Sequence, residues 1–334
     1  MQKIRWSFAL IFQTRPPGKN LLHNPQASRY FPFPRERGNF LVTLHKSRYM
    51  KDFMLNKLSP GDFPANSLEK PGYTLEFRDE FDAPSIDTNK WLPFYLPHWS
   101  SRAQSAPRYY FEGGNLILQI TKDQGPWCPE FDGEVRCSSI QTGEFAGPLG
   151  SELGQLRFSS ACVVREAQTN VQKYTPQYGY FELRAKGLNT SANHVALWMI
   201  GYEDAPERSG EIAIFELLGS HTSSTSSSVR FGVHPWGDPD LKEEFYEEFL
   251  TIDSSKYHIY GLEWTPTHLD FYVDNVKIKT INQSPNYPMQ FMLGIYEHPF
   301  EGAWTGIYDP NAPYPKKFTI DYFRAYQPNG GYNT

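Results

Sequence analysis

From about residue 72 onward, apolar side chains recur at every second position in short runs. In NLILQIT (115–121), Leu116, Leu118 and Ile120 fall on one face. In YFELRAK (180–186), Phe181, Leu183 and Ala185 share one face, and Glu182, Arg184 and Lys186 the other. LDFYVDN (269–275) points Leu269, Phe271 and Val273 one way and ends in an Asp-Asn turn, and FTIDYFRAY (318–326) has the same pattern. A period of two is that of a strand with one face in a core and the other turned outward. Helical periodicity is scarce, and turn residues separate the runs. The pattern predicts an all-β fold in which two sheets pack as a sandwich. No tandem repeat or internal linker interrupts it, so a single domain over 71–334 is expected.

Residues 1–70 read differently. They contain PP, FPFPRERG and SPGDFP without sustained period, and hold 12 Lys/Arg against 4 Asp/Glu, a net of +8. A disordered or loosely packed basic arm is expected there, with Met50 or Met54 as alternative starts. The remainder holds 20 basic and 33 acidic residues, a net of −13, a poor match for nucleic acid and a better one for a neutral ligand. No stretch is long enough to span a membrane. Lys3 and Arg5 precede a short apolar run, but the run is too short for a secretion signal and QTRPPGK follows where small residues belong. Of the three cysteines, Cys128 and Cys137 could close a short loop with Cys162 left as a thiol, and three free thiols are equally allowed.

The run GEIAIFELLG (210–219) is otherwise that of a buried strand, yet it holds Glu211 and Glu216. Carboxylates in such a setting need a partner or a task. In a regular strand these two face opposite ways. A bulge after Ala213 would bring Glu216 round to the face of Glu211, and two carboxyls about 5–5.5 Å apart are what a retaining glycosidase uses.

GEIAIFE resembles the active-site strand of glycoside hydrolase family 16, the laminarinase/lichenase group, whose pattern is Glu-x-Asp-x-x-Glu after Ser-Gly, here Ser209-Gly210. LEFRDEFDAPSIDTNKW (75–91), YGYFELRAKG (178–187), HVALWMIG (194–201), YHIYGLEWTPTHLDFYVDN (257–275) and FTIDYFRAYQ (318–327) resemble further family segments in family order. The resemblance implies a two-sheet jelly roll with a sugar-binding cleft on its concave face, Glu211 as nucleophile and Glu216 as general acid/base. Ala213 stands where the family has an Asp that hydrogen-bonds the nucleophile, and a methyl group cannot do so.

Sugars bind on aromatic faces, so exposed Trp and Tyr are the substrate-binding candidates. By family position these are Trp198, Tyr296 and Trp304. VRFGVHPWGDP (229–239) adds His234 and Trp236: Val229, Phe231 and Val233 pack inward and leave His234 on the other face. Trp99, Arg102 and Trp127 sit in irregular stretches whose pattern does not fix their positions, with the cleft edge as one place for them, and Trp264 is expected in the core. The resemblance further implies no required cofactor, a structural calcium near Glu80 and Asp321, a monomer, and an extracellular setting. The expected substrate is a β-linked polysaccharide, first a β-1,3- or mixed-linkage glucan. Hydrolysis, transglycosylation and non-catalytic glycan binding are the activities in play, the last suggested by Ala213.

Overall fold

The computed structural model describes residues 57–332. Its strands are, in chain order, β1 (Tyr73–Asp79), β2 (Arg108–Glu112), β3 (Asn115–Ile120), β4 (Arg136–Gln141), β5 (Gly143–Glu144), β6 (Val171–Gln172), β7 (Gly179–Lys186), β8 (Asn193–Gly201), β9 (Glu211–Leu218), β10 (Ser227–His234), β11 (Glu244–Leu250), β12 (His258–Trp264), β13 (Leu269–Val273), β14 (Val276–Ile281), β15 (Met289–Glu297) and β16 (Lys316–Pro328). Eight form one antiparallel sheet in the order β14-β13-β12-β7-β16-β3-β2, with β1 paired to the second half of β16. Six form a second, β11-β10-β9-β8-β15-β4, and β5 pairs with β6. Among the described residues, no helix is long and apolar enough to cross a membrane.

The two large sheets face each other across the expected alternation. Phe181, Leu183 and Ala185 of β7 meet Ile212, Phe215 and Leu217 of β9, Val195, Leu197 and Met199 of β8, and Phe291, Leu293 and Ile295 of β15 in one buried core. Each large apolar side chain withdrawn from water here contributes about 1.5–3 kcal/mol. Trp264 is fully buried in this core, and its Nε1–H donates to Ser284 Oγ at 2.9 Å.

On the outer face of the larger sheet, Glu182 and Arg324 are buried charges that need partners. The segment before β1 supplies them. Asn66 Nδ2 donates to Glu182 at 2.9 Å, while Arg324 and Arg184 donate to the carbonyls of Asn66 and Phe63 at 2.9 and 2.7 Å. The Lys70 ammonium sits 3.4 Å above the Tyr180 ring. Residues 57–70 are therefore a strap packed on the sheet, not a loose end, because the outer face of β7 and β16 would otherwise strand its charges. The rest of the basic arm, 1–56, lies outside the described residues.

The two acids expected near a calcium are each engaged by an arginine. Glu80 accepts both arms of the Arg324 guanidinium at 2.9 and 2.8 Å, and Asp321 pairs with Arg184 at 2.7 Å. Among the described residues, no three His, Cys, Asp or Glu side chains gather in one cluster. Cys128, Cys137 and Cys162 are free thiols, all buried.

Candidate active site

Strand β9 lies between β8 and β10, and its register slips once against both. Ile212 and Ala213 pair with Met199 and Trp198 of β8, but Phe215 and Glu216 pair with Leu197 and Ala196, so Ile214 has no opposite number. The same slip appears against β10, where Gly232 faces Ala213 and Arg230 faces Glu216. Ile214 and Phe215 both turn into the core, and the side-chain alternation is reset by one. Glu211, Ala213 and Glu216 consequently share the outer face of the six-stranded sheet. Gly232 is required at this point. Its φ is +150°, and a Cβ there would lie 2.3 Å from the carbonyl oxygen of Glu244.

Across β9, β10 and the start of β11 the charges alternate in two rows. In one row Glu216 is followed by Arg230, whose guanidinium lies 3.4 Å from the carboxylate, and then by Glu247, opposite Arg230 on β11. In the other, Glu211 faces His234, and Nδ1 of His234 pairs with Glu243 at 2.8 Å. Phe245 separates the rows, stacked on His234 at 4.4 Å and lying 5.2 Å from the Arg230 guanidinium. Arg230 also lies 4.7 Å from the Trp304 ring.

Trp236 reaches Glu211 from the loop after β10, and its Nε1–H donates to Oε2 at 2.8 Å. Its φ of +46° is unusual for a non-glycine residue. Two anchors hold it there. The Gly237 N–H donates to Ser209 Oγ at 2.9 Å, and Tyr287 OH donates to Asp238 at 2.5 Å while accepting the Gly210 N–H at 2.8 Å. The Ser-Gly before the strand thus positions the tryptophan beyond it.

These surroundings set the carboxyls. Burial pushes Glu211 up to about 7, opposed by the charge of His234 and the Trp236 N–H, and reinforced by Glu216. Burial also raises Glu216, against the pull of Arg230 and His234. For His234, burial acts to lower the pKa, but the charges of Glu211 and Glu243 outweigh it and hold it above the ordinary value.

The other half of this face is covered. Three mostly irregular segments, 95–99, 127–135 and 146–164, lay Tyr95, Leu96, Trp99, Trp127 and Leu156 over Ala196, Trp198, Ala213, Met292 and Tyr296. Trp198 is 7% exposed and Tyr296 5%, their side chains joined by an Nε1–H to OH bond of 3.1 Å. A ring so buried offers no free face for a sugar, so these two candidate platforms belong to the packing. Trp99 and Trp127 are part of the cover, and Arg102 lies near Glu166 on the exterior. Around the glutamates the structure gathers His234, Trp236 and, through Arg230, Trp304. Arg230 and Glu243 escaped the sequence reading. The alternation that turned His234 outward does the same for Arg230, four residues earlier, and that was the available signal.

The two antiparallel sheets form a jelly-roll β-sandwich, and the bulged strand of the smaller sheet turns two carboxylates to its outer face. A model of the family described as glycosyl hydrolases family 16 matches residues 154–324, and the chain belongs to that family. A GlcNAcα1-4Gal releasing endo-β-galactosidase from Clostridium perfringens is 38% identical, with a TM-score of 0.70 over 81% of this chain and 66% of that one. A β-glucanase from Acetivibrio thermocellus is 28% identical over 222 residues, 66% of this chain and 53% of the relative. The laminarinase catalytic domain of Thermotoga petrophila, 21% identical, shares the fold with a TM-score of 0.54 over 77% of this chain and 98% of that one. The chain spans about half the length, or less, of the first curated relatives it matches.

Proposed function

We propose that this chain is a retaining hydrolase of β-linked glycans. The observation that carries the reading is the bulge that turns Glu211 and Glu216 to one face, each beside its own cation. In the first step the Glu211 carboxylate attacks the anomeric carbon and forms the glycosyl ester. The bond to the leaving oxygen breaks as Glu216 gives that oxygen its proton. In the second step Glu216, now ionised, takes a proton from water. The hydroxyl adds to the same carbon, and Glu211 is released as carboxylate.

Ala213 supplies no hydrogen bond to the nucleophile, and two other groups act in place of the missing Asp. Trp236 donates to Glu211, and His234, held by Glu243, provides positive charge beside it. Both favour the ionised form that the first step requires. The finer reading is a β-galactoside substrate, favoured by 38% identity to the endo-β-galactosidase over most of the chain. A β-glucan is second, supported by the β-glucanase at 28%.

A reducing-sugar assay on a panel of β-galactans, galactose-containing glycans and β-glucans tests both levels. Cleavage within the galactose-containing set is expected, and cleavage of glucan alone reverses the order. Glycan binding without cleavage of any member would make the chain a binding module.

A further inference from the structure

The cover over the outer face lies on one side of the glutamate pair only. On β8, β15 and β4, the outward residues Trp198, Met292 and Gln141 are buried. On β11 and the loop after β10, Phe249 is 65% exposed and Trp236 40%, while Trp304, 36% exposed on the loop after β15, bridges the far end of the pair between His194 of β8 and Arg230 of β10. Glu211 and Glu216 stand at the boundary. A glycan running across the strands beside Glu211 can therefore extend from the pair over β10 and β11, but not over Trp198 of β8 and Met292 of β15.

The cover is stitched to the sheet by buried polar bonds. Gln141 of β4 donates to Glu144 at 2.6 Å, and the same carboxylate pairs with Nδ1 of His98 at 2.7 Å. Trp99 Nε1 donates to the Gln155 carbonyl at 2.8 Å, and Gln155 Nε2 donates to Gln290 of β15 at 2.8 Å. Tyr95 closes the edge beside the site, its ring 4.6 Å from Trp127 and 5.5 Å from Tyr296. Lifting this layer would strand several buried donors and acceptors at once. It is a wall, not a lid.

Resting on the hydrolase reading above, we infer that the site takes a glycan by its end. The chain enters over β10 and β11, stops at the wall formed by Tyr95 and Trp127, and is cut a fixed short distance from its terminus. The substrate class is thus terminal or side-branch oligosaccharide, and the interior of a long polymer is a poor substrate.

The test is the product pattern on whichever panel glycan is cleaved, using oligosaccharides of increasing length labelled at one end, with a parallel set labelled at the other. One short product, the same from every parent length, is expected, with solution viscosity falling slowly as sugar is released. A random ladder of internal products with an early collapse of viscosity overturns the inference while leaving the hydrolase reading intact. Should no glycan be cleaved, the hydrolase reading falls. The geometry is then decided by the affinity of the Glu211→Gln protein for the same series, which should level off at short length and which overturns the inference if it keeps rising. A Tyr95→Ala variant should broaden the products, and the wild-type pattern stands as the deciding measurement where that variant fails to fold.

Discussion

The outer face of the six-stranded sheet has two halves that share one backbone scaffold and differ in what lies above them. Over β4, β15 and β8, the outward side chains Gln141, Met292 and Trp198 are uncharged and sealed beneath aromatic loops. Over β9, β10 and β11, the outward side chains are Glu211, His234 and Glu216, Arg230, with Glu243 and Glu247 beyond them. A fully sealed carboxylate would be protonated or destabilising, and a fully exposed one would titrate as an ordinary acid. Glu211 sits where the covered half supplies desolvation and the open half supplies compensating charge. The boundary between the halves therefore sets the protonation behaviour.

Glu211→Gln should have the largest effect on this boundary. Turnover should fall by about a thousandfold or more, since the proposed nucleophile is gone, and each tenfold loss is about 1.4 kcal/mol of barrier. Stability should move the other way. The carboxyl of Glu211 is raised from 4.5 to about 7 by folding, so its ionisation opposes the folded state increasingly as pH rises through that window. The amide removes this term. Denaturant unfolding should show the variant equal to the parent near pH 4 and more stable at pH 8, by at most about 3 kcal/mol. Unchanged turnover would remove the nucleophile assignment.

Ala213→Asp should come next, and it tests the covered side. Ala213 is 0% exposed, among Trp198, Met292 and Tyr296. An aspartate there would be buried in an apolar layer, between the carboxyls of Glu211 and Glu216 on the same face. A loss of about 2–4 kcal/mol of folding stability is expected, measured by urea unfolding at pH 7. A variant as stable as the parent, with faster turnover, would show instead that the site has kept room for the family's aspartate.

Much of this boundary could be read in the sequence, and the reason is local periodicity. The alternations in 115–121, 180–186 and 269–275 report faces of single strands, and the paired glutamates at an odd separation demand a bulge if they are to act together. The cover was not legible. Trp99, Trp127, Cys162 and Leu156 lie in segments with no period, and only contacts between residues distant in sequence turn them into a layer over β8 and β15. The burial of Trp198 and Tyr296, substrate-binding candidates by family position, is illegible for the same reason: a strand pattern tells which face a ring occupies, but not what covers that face. The strap at 57–70 was missed because its polar side chains and carbonyls are bound by residues more than 100 positions away, such as Glu182 and Arg324.

His234→Asn tests the open side with a smaller effect. The asparagine Nδ2–H2 can still bind Glu243, but it carries no charge. Glu211 then loses a stabiliser of its ionised form, so its pKa should rise further. The acidic limb of the kcat/KM profile, expected near pH 7 in the parent, should move to higher pH. Activity at pH 6 should fall about tenfold more than activity at pH 8.5. Parallel profiles differing only in height would mean that His234 does not act through Glu211.

The smallest effect compares like with like across the boundary. Trp236→Phe and Trp198→Phe each delete one indole N–H while keeping an aromatic ring. Trp236 donates to the Glu211 carboxylate from a partly exposed loop, so water can take over much of that bond. Turnover at pH 6 should drop only about threefold, near 0.7 kcal/mol, with the acidic limb displaced slightly upward and the melting temperature unchanged. Trp198 donates to the Tyr296 hydroxyl beneath the cover, where no water replaces it. Its loss should cost about 1–2 kcal/mol of stability, read as a lower melting temperature, and leave the shape of the pH profile as it was. If the two variants exchanged signatures, with Trp198→Phe moving the pH limb and Trp236→Phe lowering the melting temperature, the division of this face into a structural and a chemical half would be wrong.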